Sequence, residues 1–174
     1  TEQREAVLDM TKEYGLPVIQ DVPVVTLRLL EVNGYTKDEA FNDSTVSYPG
    51  WAYNREYRVT YRDTLIDSEK IVAGKWNKKP NAKDSIFISV SDNFLDLEIG
   101  DELLFNVQGA LIKTYVGSLR EIDWRRVQTN FLVVFPEGIL ERAPQFHVVV
   151  TRVQDKMKSA QFQQDIVGDF PNVS

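Results

Sequence analysis

The spacing of apolar positions changes several times along the chain, and each change marks an element. Over residues 2–14, Ala6, Val7, Met10 and Tyr14 recur every three to four positions, which is one face of a helix. Gly15 is placed to end that helix in the left-handed conformation. Val22 to Val32 is β-branched and apolar and stops at Asn33-Gly34, a strong tight-turn signal. Pro23 cannot donate to a ladder and predicts a strand end or an edge. Residues 36–54 are polar, carry Pro49-Gly50 and show no period, so they read as a long loop. Glu56 to Arg62 then alternates, with Tyr57, Val59 and Tyr61 on one face, as a half-buried antiparallel strand does.

Shorter apolar pieces follow. Ile71–Gly74 precedes a solvated loop over 77–84, and strands are expected at 86–90, 103–107, 111–116, 131–135 and 146–153. A short helix is expected at 92–97, with Ser91 as its cap. A closing helix over 156–170 puts Phe162, Ile166 and Phe170 on one stripe. Helix, many short strands, helix is the order of an α+β fold with a strand-rich middle. Character shifts near residues 50 and 144 suggest a helix-and-sheet frame over 1–50 and 144–174 with a β-rich subdomain, 51–143, inserted in it.

Composition narrows the function classes. A net charge of −6 makes nucleic acid a poor partner, and the basic cluster Arg120, Arg125, Arg126 contains Glu121 and Asp123. Without cysteine there is no disulfide, thiolate metal site or Cys nucleophile. The longest apolar run is the five residues Phe131–Phe135, far short of the roughly 18 a membrane helix needs.

Candidate chemistry is sparse. The one histidine, His147, lies inside a strand, where a packed or exposed ring is the plainer reading than a catalytic base. No nucleophile elbow occurs. Asp92, Asp96, Glu98, Asp101 and Glu102 lack the spacing of a calcium loop and read as a solvated helix face. Gly74-Lys75 has neither the upstream glycine nor the hydroxyl residue of a phosphate loop. No catalytic residue, metal or cofactor is assigned. Trp76 and Trp124 adjoin strands and are expected in the core. Tyr48, Trp51 and Tyr53 cluster in the polar loop; they either fold back on the core, the favoured reading, or meet a partner or lipophilic ligand. They are the candidate contact residues.

Several stretches taken in order carry a resemblance. They are Val72–Trp76, Leu97–Gly109 with its Gly100-Asp101 turn, Ser118–Trp124, Asn130-Phe131, Phe135–Gly138 and the closing Phe170–Ser174. Together they resemble the large extracytoplasmic region of FtsX/MacB-like ABC transporter permeases, in particular the YbbP-like branch. The Leu-Arg-x-x-Asp-Trp block, followed by Asn-Phe and Phe-Pro-x-Gly, is the most specific part. The resemblance implies a MacB-like extracytoplasmic domain of an inner-membrane protein, here in the periplasm, whose membrane segments lie outside this sequence. It implies a cytoplasmic ATPase subunit acting through those segments, a lipophilic cargo, and an extracytoplasmic esterase or lipoprotein as a further partner. Two readings stay open under it: a domain passing ATP-driven motion to cargo, or a scaffold that recruits and activates a separate hydrolase. An enzyme built on His147 or a carboxylate pair is the third.

Overall fold

The computed structural model describes residues 2–53, 55–80, 85–126, 128–153 and 155–173. Helices and strands are both present, so the α+β expectation holds. The elements are α1 (Glu2–Glu13), β1 (Val18–Val32), α2 (Lys37–Asn42), a 3-10 turn (Gly50–Ala52), β2 (Glu56–Tyr61), β3 (Glu69–Gly74), β4 (Phe87–Ser91), β5 (Glu102–Val107), β6 (Ala110–Ile122), β7 (Val133–Phe135), β8 (Gln145–Thr151) and α3 (Lys156–Asp169). No helix of the described residues is long and apolar enough to cross a membrane. The chain divides into two compact units, one of residues 1–22 with 147–174 and one of 23–146.

In the larger unit the strand pairings close on themselves. The order β2-β7-β4-β6-β5-β1 returns to its start because β1 also pairs with β2, which makes a six-stranded barrel. Closure removes the unpaired edges an open sheet would expose. The barrel is mixed: β2–β7 and β4–β6 are parallel, the other four contacts antiparallel. Alternation fills its interior with Val25, Leu27, Leu29, Tyr57, Val59, Ile88, Val90, Leu103, Phe105, Val116, Val133 and Phe135, all buried. Phe105 and Phe135 meet at 5.7 Å between ring centres.

Two tight turns follow from sequence. Asn33-Gly34 (φ 50° and 79°) turns β1 back to Tyr35, and Gln108-Gly109 (φ 50° and 104°) joins β5 to β6. Both use the positive φ at both central residues that two-residue turns require. A bulge in β1 shifts register between Leu29 and Glu31, so the inward set moves from odd positions to Val32.

A second bulge decides the chemistry. Along β4–β6 the register slips from Ile88↔Val116 to Ser89↔Ser118, leaving Gly117 unmatched. Past it, Ser118 and Arg120 lie on the face of β4 that carries Ser89 and Ser91, opposite Ile88 and Val90. Only glycine fits at the bulge, because a Cβ on Gly117 would sit 2.6 Å from Asn77 Nδ2 and 2.8 Å from Phe87 Cβ.

In the smaller unit, Tyr14 and Phe162 meet edge to face at 5.7 Å and the Tyr14 hydroxyl donates to Asp165, joining α1 to α3. Gln3 and Asn172 exchange side-chain amide bonds of 2.6 and 3.1 Å. The expected stripe on α3 is present, with Ile166 buried and Phe162 and Phe170 half-buried.

Four expectations are corrected. Pro23 lies inside β1, not at its end. Residues 36–54 are not structureless: α2 forms under a full capping box, Thr36 accepting from Glu39 N while the Glu39 carboxylate accepts from Thr36 N. Residues 92–97 form no helix, because Leu95 and Asp96 take positive φ (59° and 51°) so that Phe94, Leu95 and Leu97 can all turn inward. The acidic residues there therefore share no helix face. Trp124 is 54% exposed in the turn after β6, where no layer covers it.

Candidate functional site

Tyr48, Trp51 and Tyr53 lie on one short segment of the barrel unit, and their surroundings differ. Tyr53 is buried and its hydroxyl donates to the Tyr35 carbonyl at 3.2 Å. Burial, with Tyr48 nearby, pushes its phenol up to about 12. Tyr48 packs its ring beside Tyr35 at 6.5 Å, and its hydroxyl accepts from Asn33 Nδ2 at 2.9 Å. Both tyrosines thus brace the segment against the core.

Trp51 points the other way and is 53% exposed. The Arg55 guanidinium sits 5.8 Å from its ring centre and 5.1 Å from that of Tyr57. Tyr57 is anchored below, donating to Ala52 O at 2.8 Å. The exposed indole is therefore carried on a stiff base: the 3-10 turn, the buried Tyr57 and the bridging Arg55. Neighbouring α2 adds Phe41, 88% exposed on a helix whose Ala40 faces inward. Sequence reasoning missed Phe41, although the pattern Thr36-x-x-Glu39 was there to signal a short helix.

His147 is placed within the smaller unit. Its Nδ1 lies 3.1 Å from Asp21 Oδ1, while Arg4 Nε donates to Asp21 Oδ2 at 2.8 Å. Burial raises the Asp21 carboxyl, but the hydrogen bonds from Arg4 and His147 outweigh it and hold it below the usual carboxylate value. An ionised Asp21 accepts, so Nδ1 carries the proton. The imidazole is thereby oriented on a strand by a carboxylate that an arginine shares.

A third cluster lies on the outer side of β4 in the barrel unit. Arg120 Nε donates to Ser89 Oγ at 2.9 Å, Nη2 to Phe131 O at 3.0 Å, and Nη1 to Glu69. Ser118 donates to Ser89 at 2.7 Å. Arg62 Nη2 bonds both Glu69 oxygens, at 2.6 and 2.7 Å, and its guanidinium lies 5.7 Å from the Trp76 ring centre. Trp76 is half-buried and donates its Nε1–H to Asp63 O at 2.9 Å. Burial pushes Arg120 down to about 10 although Glu69 pulls it up, so it stays charged at neutral pH. Two cations share one carboxylate here, an arrangement that locks β3, β4, β6 and the approach to β7.

No family model matches the chain. It is 30% identical over 148 residues, 83% of its length, to an uncharacterised ABC transporter permease, YbbP, of Escherichia coli K12. The chain spans 17% of that relative's length. The likeness supports a domain related to ABC transporter permeases.

Proposed function

We propose that this chain is a non-catalytic extracytoplasmic domain of an ABC transporter permease of the FtsX/MacB-like, YbbP-like kind, passing ATP-driven motion to a lipophilic cargo. The observation that carries the reading is the 30% identity to a permease across most of the chain. In this reading residues 1–50 and 144–174 form the frame next to the inner membrane, residues 51–143 are the β-rich insert, and both lie in the periplasm. A cytoplasmic ATPase subunit supplies the energy through segments outside this sequence.

Stiffness supports a mechanical role, since motion is transmitted only through elements that do not deform. The amide pair Gln3–Asn172 and the Tyr14–Asp165 bond tie the start of α1 and the end of α3 into one body. Trp51, braced by Tyr48 and Tyr53, is the contact point for cargo or partner in this scheme, with Phe41 beside it. An exposed aromatic on a rigid base also favours a second reading, a scaffold that recruits a separate extracytoplasmic esterase or other hydrolase.

A photo-crosslinking amino acid at Trp51 in the full-length protein, in cells, tests both. Crosslinks to lipid or lipoprotein that depend on ATPase activity fit transport. A single hydrolase captured whatever the ATPase state fits the scaffold. Nucleotide or ester hydrolysis by the purified domain would sink the proposal.

A further inference from the structure

The barrel carries a groove that neither reading uses. It lies on three adjacent strands, where register sets Glu56 of β2, Arg28 of β1 and Asn106 of β5 in one row. Thr26 and Gln108 extend that row at one end, and the groove holds about 460 Å³, within the range of about 300–1,000 Å³ common for small-molecule sites. Its sixth lining residue, Leu27, is buried in the core.

Four of the five polar groups there are each fixed by one bond and keep capacity for another. Arg28 Nη2 donates to Glu56 Oε1 at 3.0 Å, which cancels both charges and holds both side chains. Asn106 Oδ1 accepts from Gly109 N at 2.7 Å, so its NH2 remains to donate. Gln108 Nε2 donates to Pro144 O at 2.9 Å, so its carbonyl oxygen remains to accept. The Thr26 hydroxyl can do either. Donors and acceptors thus alternate on strands held in a closed barrel.

The chemistry favours one ligand class. The two charges of the lining, Arg28 and Glu56, are paired with each other, and Arg58, which pairs with Thr26 in register, stacks its guanidinium 5.7 Å from the Phe146 ring centre. An apolar ligand finds no exposed apolar side chain among the lining residues. An extended peptide cannot add as a strand, because β1 is already flanked by β2 and β5. A neutral polyhydroxyl compound matches, because each hydroxyl both donates and accepts. We propose that this groove binds a short neutral oligosaccharide. The proposal does not rest on the permease reading.

Amide proton–nitrogen spectra of the chain, titrated with triacetylchitotriose and with maltotriose into the tens of millimolar, provide the test. Saturable shifts with at least one sugar are expected, confined to residues 26–28, 56 and 106–109. Thr26→Val removes one hydroxyl, and Asn106→Asp removes one donor while keeping the acceptor for Gly109. Each should weaken binding about fivefold, the effect of one lost hydrogen bond. Both changes lie on the outer side of the barrel, and well-dispersed core resonances show that the variants fold. Absence of saturable shifts with both sugars overturns the proposal. So do shifts outside the groove, affinity unchanged in both variants, or tighter binding of trialanine or of trigalacturonate.

Discussion

Arg120 and Glu69 form an ion pair in which neither side chain has any exposed surface. Such a pair offsets a large desolvation cost only while both partners and their extra hydrogen bonds are present. Arg120 meets that condition by also serving Ser89 Oγ and the Phe131 carbonyl, and Glu69 by also accepting from Arg62.

Glu69→Gln should therefore destabilise the chain by about 3–5 kcal/mol, because the buried Arg120 and the part-buried Arg62 lose the counter-charge they share. Arg120→Met should cost at least as much. The double change Glu69→Met/Arg120→Met should cost clearly less than the sum of the two single Met changes. Urea unfolding of the three Met variants measures the coupling. Additive losses would show that the pair does not act as a unit.

Two glycines with positive φ should respond differently to alanine. Gly15 (φ 63°) has open space where a Cβ would go, so Gly15→Ala meets only the left-handed backbone cost of about 1–2 kcal/mol. At Gly74 (φ 74°) the added Cβ would lie 2.2 Å from the Gly117 carbonyl oxygen, a backbone atom that is itself bonded to Lys75 N. Gly74→Ala should cost well beyond that, or prevent folding, by thermal melting. Equal melting temperatures for the two variants would contradict the close approach of β3 to the bulge in β6.

Local signals in the sequence were readable where neighbours in the chain decide the outcome. Alternation at Tyr57 and Val59 marked β2, Asn33-Gly34 marked the turn, and the stripe Phe162–Ile166–Phe170 marked α3. Ring closure was not readable, since β1 must pair with both β2 and β5, and β7 lies parallel to β2 across more than 70 positions. Nor was the bulge at Gly117. Without it Arg120 reads as one of three surface arginines; with it, Arg120 is fully buried against Ser89 and Glu69. The polar composition of 36–54 made Tyr48, Trp51 and Tyr53 stand out as candidates, but burial of Tyr53 beside exposure of Trp51 depends on Tyr35 and Tyr57, which lie outside that stretch. Phe41 was hidden because a six-residue helix barely shows a period.

The Asp21 carboxyl has a pH consequence with a definite sign. Its folded pKa lies below the unfolded value near 3.8, so ionised Asp21 adds stability that is fully present above that value. The contribution is lost as pH falls through the lower folded pKa. Acid titration followed by hydrogen exchange in α1 and β8 should show weaker protection in Asp21→Asn at neutral pH, with the gap to the parent closing only as pH falls below 3.8. A gap that widens on acidification would reverse the assignment.

Trp51 and Tyr57 share one arginine but should behave as opposites. Tyr57 is buried, touches Phe94 edge to face at 5.4 Å and bonds Ala52 O, so Tyr57→Ala should cost about 3–5 kcal/mol. Trp51 has half its surface in water, and its contact with Arg55 is worth about 0.5–1 kcal/mol at an exposed site. Trp51→Ala and Phe41→Ser should thus leave stability within about 1 kcal/mol while removing the aromatic surface. Acrylamide quenching provides the complementary check: the fraction of readily quenched emission should fall in Trp51→Ala and persist in a Trp76→Phe variant. Should Trp51→Ala unfold the chain, the indole would be part of the core, and its role as a contact surface would have to be given up.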